Sequence, residues 1–262
     1  MRIPVTTLND GYDFPLLGLG TYKLTGDEVE PIVRTAIELG YRHIDTAALY
    51  DNEVEVGKAI NAAIKAGDVT REELFVTTKL WNDDQERVAE AYHESLERLD
   101  LEFIDLYLVH WPWPQHGTYV KAFEQIVELQ GMGRLQSVGV ANFYPEVLDE
   151  IIEATGISPV LNQVELHAGF TQPELRAYHD EHDIVTEAWA PLARGSNFDD
   201  PAIQAVADKH GATPAQVSLA YLMQLGCSVV PKTANPKRLE ENLGAVGVTL
   251  DSEDVAALDG VA

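Results

Sequence analysis

Basic residues are scarce in this chain: 18 lysines and arginines stand against 43 aspartates and glutamates, a formal charge of −25 at pH 7. A field of that sign repels nucleic acid and anionic membranes, so neither is an expected partner. The acids are spread along the whole length, as on the surface of a salt-adapted protein, where molar salt screens self-repulsion over roughly 3 Å. A halophilic protein is therefore expected. The single cysteine, Cys227, excludes an internal disulfide, and its apolar surroundings predict a buried thiol with no nucleophilic role. No apolar run approaches the roughly 20 residues that cross a bilayer, and the first residues lack a basic-then-apolar leader, so a soluble cytoplasmic protein is expected.

Several motifs are missing too. Gly18-Leu-Gly20-Thr-Tyr-Lys23 breaks the dinucleotide fingerprint at its third glycine, which argues against a doubly wound sheet, and there is no Walker-type loop. No His-x-His pair or comparable ligand cluster points to a metal. His179 and His182 have helical spacing but sit beside Asp180 and Glu181, and both are expected to face solvent. Without a linker, charged tail or low-complexity segment, one domain spanning residues 1–262 is expected.

What is present is alternation. A hairpin (Val5 to Leu8, the turn Asn9-Asp-Gly11, then Phe14 to Leu16) opens the chain. Asp27 is placed to cap a helix whose stripe is Val29, Ile32, Val33, Ala36 and Ile37, with Gly40 as its stop. Further stripes end at Gly67, after Leu99, at Gly131 and at Gly156. Between the helices lie eight apolar strands: Leu16 to Gly20, His43 to Asp45, Leu74 to Thr78, Ile104 to Val109, Ser137 to Val140, Val160 to Val164, Ile184 to Trp189, and Ser228 to Pro231. Eight strands separated by helices predict an α/β fold, the (β/α)8 TIM barrel, with its site at the C-terminal mouth. Extra helices are expected after strand seven, over Pro201 to His210, and at the C-terminus.

Polar groups collect at that mouth. Asp45 and Tyr50 follow the second strand, Lys79 closes the third and His110 closes the fourth. A phenol with a pKa near 10 keeps its proton until an alkoxide develops, so Tyr50 suits a general acid in carbonyl reduction. Lys79 would ease formation of the phenolate, Asp45 would hold the ammonium, and His110 would orient the substrate oxygen. Each alone is commonly a packing or salt-bridged residue; the set is what a catalytic mouth needs. A glycosidase would instead use a carboxylate pair, for which Glu165 and Glu187 are available, but strand four ends in His110-Trp-Pro.

The ordered set of Asp45, Tyr50, Lys79 and His110 resembles the aldo-keto reductases. So do the blocks Leu17-Gly-Leu-Gly-Thr21, Leu108-Val-His-Trp-Pro112, Ser137-Val-Gly-Val-Ala-Asn-Phe143, Asn162-Gln-Val-Glu165, Ala188-Trp-Ala-Pro-Leu192 and Pro231-Lys-Thr-Ala-Asn-Pro-Lys-Arg-Leu-Glu-Glu-Asn242. The likeness covers nearly the whole chain and is strongest to short prokaryotic members of the 2,5-diketo-D-gluconate reductase type. It implies NADPH-dependent reduction of aldehydes and ketones, including α-dicarbonyl and sugar-derived compounds. A monomer, or else a weak dimer, is expected. It implies that Asn142 and Gln163 bind the nicotinamide carboxamide and that Trp189 stacks on the ring. Gly20, Thr21, Tyr22, Asp45, Ala190 and Leu192 would complete that half of the cofactor site. Ala141 replaces the family's usual Ser, so one carboxamide hydrogen bond is expected to be missing. Lys232, Thr233 and Arg238 match the adenosine 2′-phosphate site, with Glu241 and Asn242 near the adenine and Lys237 adding charge. Tyr22, Trp81, His110, Trp111 and Phe143 would line an open substrate pocket, since the chain ends soon after its last helix. A non-catalytic nicotinamide-nucleotide-binding barrel is the alternative within the fold.

Overall fold

The computed structural model describes residues 1–261; Ala262, the last residue of the expected domain, lies outside the described residues. An antiparallel hairpin, β1 (Val5–Thr7) with β2 (Asp13–Pro15), comes first. Eight parallel strands follow: β3 (Leu19–Gly20), β4 (His43–Asp45), β5 (Phe75–Leu80), β6 (Ile104–Val109), β7 (Leu135–Ala141), β8 (Leu161–Glu165), β9 (Val185–Trp189) and β10 (Ser228–Val229). They pair in sequence order, and parallel bridges from Leu17 to Val229 and from Gly20 to Lys232 close the ring. The helices are α1 (Val29–Leu39), α2 (Glu53–Ala66), α3 (Val88–Leu99), α4 (Tyr119–Gly131), α5 (Pro145–Thr155), α6 (Pro173–Glu181), α7 (Pro201–His210), α8 (Pro214–Gln224), α9 (Pro236–Leu243) and α10 (Ser252–Asp259). The expected (β/α)8 barrel, its hairpin and its extra helices are all present.

Strand alternation sorts the residues. On β6, Leu106 and Leu108 enter an inner cluster with Phe14, Phe75 and Leu161, while Tyr107 and Val109 join the larger core between strands and helices. The hairpin plugs the floor of the barrel: Phe14 packs on Phe75 and His43, each at 4.8 Å between ring centroids. Asn9 Nδ2 also donates to Pro159 O at 3.2 Å and Asp183 O at 3.1 Å. Cys227 is buried as expected, and burial pushes its thiol up to about 12.

Three local expectations change. The cap before α1 is Thr25, not Asp27: Thr25 and Glu28 form a capping box around a single turn, Gly26–Glu28, that leads into the helix. Gly40, Gly67 and Gly156 end their helices in the left-handed conformation, but Gly131 stays within α4 and the chain turns at Gly133. His179 does not face solvent. It is fully buried on α6, with Nδ1 2.7 Å from Thr186 Oγ1 and Nε2 3.0 Å from Asn162 Nδ2.

Candidate active site

The alternation that fills the barrel floor with apolar groups puts polar ones at its upper layers. Inward positions on β4 are His43 and Asp45; on β5, Phe75, Thr77 and Lys79; on β8, Leu161 and Gln163; on β9, Val185, Glu187 and Trp189. Lys79 has no exposed surface, and its Nζ donates to Asp45 Oδ1 at 2.8 Å, Asp45 Oδ2 at 3.0 Å, Thr46 O at 2.9 Å and Tyr50 Oη at 3.2 Å. Burial by itself would lower the ammonium's pKa; Asp45 and Tyr50 more than reverse this, and it lies above the ordinary value. Burial is also the largest influence on Tyr50 and raises its phenol, against the lowering pull of Lys79.

Tyr50 sits on one helical turn, Ala48–Tyr50, that ends at a left-handed Asp51. A residue not singled out from the sequence, Asn52, secures this turn. It is buried, accepts from Thr46 Oγ1 at 2.6 Å, and donates to Thr21 O at 2.9 Å and Leu24 O at 3.0 Å. The His110 ring meets Tyr50 at 5.9 Å and Trp81 at 5.2 Å, both edge to face.

These groups open into a cavity of about 490 Å³ lined by Gly20, Tyr22, Asp45, Tyr50, His110, Trp111, Asn142, Gln163, Trp189, Ala190, Leu192 and Lys232, joined by Lys23, Leu49 and Arg194. Tyr22, Leu49 and Trp111 are exposed apolar side chains around its mouth. Gly20 must be glycine, since a Cβ there would stand 2.6 Å from Val230 O. Gln163 Nε2 donates to Asp45 Oδ2 at 2.9 Å, and among the described residues its side-chain Oε1 has no hydrogen-bond partner. Asn142 is held left-handed (φ 60), donates to His110 O at 3.0 Å and accepts from Trp189 Nε1 at 2.8 Å. One N–H and one lone pair of its amide remain free among the described residues.

Several expected positions lie elsewhere. Thr21 is buried beside the cavity and gives its hydroxyl to Asp45 O at 2.9 Å. Phe143 is not in the pocket; the chain turns at Asn142 and buries its ring against Tyr119. Trp81 is not among the lining residues and stands behind His110. Beyond Lys232, Thr233 accepts from Asn235 N at 3.0 Å, and Arg238, Glu241 and Asn242 lie on α9. Lys232, Lys237 and Arg238 are exposed, and among the described residues none has a carboxylate within 4.0 Å.

The carboxylate pair of a glycosidase is not assembled: Glu165 contacts His167 at 3.2 Å, and Glu187 is fully buried below the cavity. Donor atoms of His43, Asp45 and Glu187 lie within 4.8 Å of one another, but Gln163 Nε2 donates to both carboxylates where a cation would sit. A larger cavity of about 900 Å³ opens at the opposite end of the barrel, lined by Arg71, His93, Asp100 and Arg134 among others, and has no comparable convergent set.

The aldo/keto reductase family profile matches residues 16–262, and the chain belongs to that family. It is 45% identical to methylglyoxal reductase DkgA of Escherichia coli (strain K12) over 256 residues, which covers 97% of this chain and 92% of that protein. An aldo/keto reductase from Brucella melitensis superposes with a TM-score of 0.94 at 41% identity, covering all of both chains. A variant of Gox0644 in complex with NADPH gives 0.94 at 43% identity, covering 100% of this chain and 94% of that one.

Burial keeps three imidazoles uncharged: His110 is held down to about 2 and His43 to about 3, both also by Lys79, and His179 to about 4, also by His182. Each binds its proton more weakly folded than unfolded, so unfolding takes up protons below about pH 6.5. The raised carboxyls of Glu187 and Asp105 pull the other way but are fewer. Stability should therefore fall between about pH 6.5 and about pH 4.5, above the ordinary carboxylate range, as read by urea midpoints. A flat profile across that window would contradict the buried, neutral histidines.

Proposed function

We propose that this protein reduces aldehydes and ketones to alcohols with NADPH, Tyr50 acting as the general acid. The observation that carries it is the cavity-wall phenol 3.2 Å from an ammonium that is itself bonded to Asp45. Because Tyr50 Oη accepts from Lys79, its own proton is free to point at a substrate oxygen in the cavity. NADPH supplies the hydride when bound. As the alkoxide develops, Tyr50 gives up its proton and Lys79 stabilises the phenolate, while Asp45 keeps the ammonium in place. Neutral His110 donates or accepts at the substrate oxygen without adding charge. Tyr22, Leu49 and Trp111 take the apolar part of the substrate and exclude water from it.

The cofactor fits the residues present. Gly20 leaves room for it, the free Gln163 oxygen and Asn142 N–H suit a carboxamide, and Trp189 supplies a stacking face. Ala141 provides no hydroxyl for that carboxamide. Lys232, Lys237 and Arg238, cations without carboxylate partners in an acidic chain, suit an adenosine 2′-phosphate, assisted by the N-terminus of α9. The relatives named methylglyoxal reductase make α-dicarbonyl compounds the first substrates to assay, with sugar-derived carbonyls next.

The chain works as a single-domain monomer in the cytoplasm, and its dispersed acids adapt it to high salt. A nucleotide-binding barrel without turnover is disfavoured by the complete Asp45, Tyr50, Lys79 and His110 constellation.

Tyr50→Phe should lower turnover by about 10² to 10⁴-fold while NADPH still binds, measured by NADPH oxidation and by fluorescence titration. Unchanged turnover would remove Tyr50 as the acid. Arg238→Ala should weaken NADPH by about tenfold or more and leave NADH nearly untouched; equal losses for both would refute the phosphate assignment. The urea midpoint should rise as salt goes from dilute buffer to molar concentration, and a midpoint indifferent to salt would reject the halophilic assignment.

A further inference from the structure

Directly beneath the Asp45 and Lys79 pair lies a second inward layer that the reaction above does not use. His43, Thr77 and Glu187 belong to it, two residues before Asp45, Lys79 and Trp189 on their strands, and all three have no exposed surface. Glu187 Oε1 accepts from Gln163 Nε2 at 2.7 Å, and Oε2 accepts from Ser228 Oγ at 3.0 Å. The same Gln163 nitrogen donates to Asp45 Oδ2 at 2.9 Å, so one amide bridges both carboxyl groups. His43 Nε2 lies 3.1 Å from Thr77 Oγ1. Its Nδ1 is buried, has no hydrogen-bond partner among the described residues and faces Glu187 Oε2 at 3.6 Å. The ring packs on Gly18, where a Cβ would come within 2.5 Å of Nδ1, so no side chain approaches from that side.

An orphaned buried nitrogen beside a buried carboxyl calls for a proton between them. With Glu187 ionised and His43 neutral, the interior would hold two carboxylates against one ammonium; a proton on Glu187 makes the whole set neutral. We propose that Glu187 is a carboxylic acid at neutral pH, its hydroxyl turned to His43 Nδ1, and that it is a positioning residue for Asp45 and Gln163 in carbonyl reduction.

The titration directions agree. Burial, then the Asp45 charge, push the Glu187 carboxyl up to about 8, while burial and Lys79 hold His43 down to about 3, so the proton belongs to the glutamate. The charged and titratable groups facing Glu187 are His43 and Asp45 from β4 and Lys79 from β5; Gln163 from β8 and Ser228 from β10 are neutral donors. As an acid, Glu187 pins the Gln163 nitrogen downward together with Asp45, which turns the amide oxygen to the cavity. Ionised, it would add a negative charge below Asp45, compete for Lys79 and oppose formation of the Tyr50 phenolate. Reduction should therefore slow as the pH rises through about 8.

The test pairs kinetics with spectroscopy on the wild type and Glu187→Gln, whose amide keeps an acceptor for Gln163 and a donor for His43. The descending limb of the kcat profile for reduction should move to higher pH by about one unit or more in the variant. A limb that stays in place, whatever the plateau, overturns the proposal. Infrared difference spectra of the wild-type protein from about pH 6 to about pH 10 should show a carboxylic-acid C=O band that bleaches through about 8 and is missing from the variant. The absence of that band in the wild type, or its persistence in the variant, also overturns it. The kinetic arm rests on Tyr50 as the acid; the infrared arm needs no turnover, and its wild-type titration needs no folded variant. A wrong assignment of Glu187 and a wrong assignment of the reaction are thereby told apart.

Discussion

Lys79 is an ammonium with no exposed surface, and the upper half of the barrel is arranged around it. Left unpaired, such a charge would cost several kcal/mol and would lose its proton. Asp45 prevents this with two contacts at 2.8 and 3.0 Å, and Thr46 O at 2.9 Å takes a further hydrogen of the ammonium. The last contact, to Tyr50, fixes where the phenol points. Two strand ends and one loop turn are thus tied to a single nitrogen. Asn52 braces that loop from behind, and Gln163 carries the same hydrogen-bonded set across to β8 and β9.

A barrel interior that is apolar below and charged above follows from parity. Residues two apart on a parallel strand share a face, so Phe75, Thr77 and Lys79 form a ladder from the core to the site. His43 and Asp45 do the same on the neighbouring strand. The hairpin seals the floor with Phe14, which leaves the C-terminal mouth as the open end. There Tyr22, Leu49 and Trp111 stay exposed, an apolar rim on a chain whose surface is otherwise strongly acidic. Lys232 lines the same mouth, and Lys237 and Arg238 follow it on α9; among the described residues none of the three has a carboxylate within 4.0 Å.

Much of this is legible in the sequence itself. The strands announced themselves as short apolar runs, and Gly40, Gly67 and Gly156 marked helix ends because a left-handed residue there is cheapest as glycine. Asp45, Tyr50, Lys79 and His110 were each visible as polar groups at strand ends, and the structure brings them into one set of contacts. What the pattern missed was decided by polar packing. Helix α6 brings only Leu175 and Tyr178, both partly buried, as apolar contacts to the core, and its buried residue is His179, held by Asn162 and Thr186 through hydrogen bonds. Phe143 follows a left-handed asparagine that turns it into the core, a backbone event with no hydrophobic signature. Glu187 read as a spare carboxylate, whereas parity with Trp189 was the signal that it lies inside the barrel.

The site depends on Lys79 being charged while fully buried, and its protonation is directly measurable by NMR of lysine labelled at the ε carbon. The Lys79 resonance should stay that of an ammonium past about pH 10.4, the ordinary lysine value. A midpoint well below that value would mean the barrel holds a neutral amine. The arrangement of Asp45, Tyr50 and Gln163 around it would then need a different explanation.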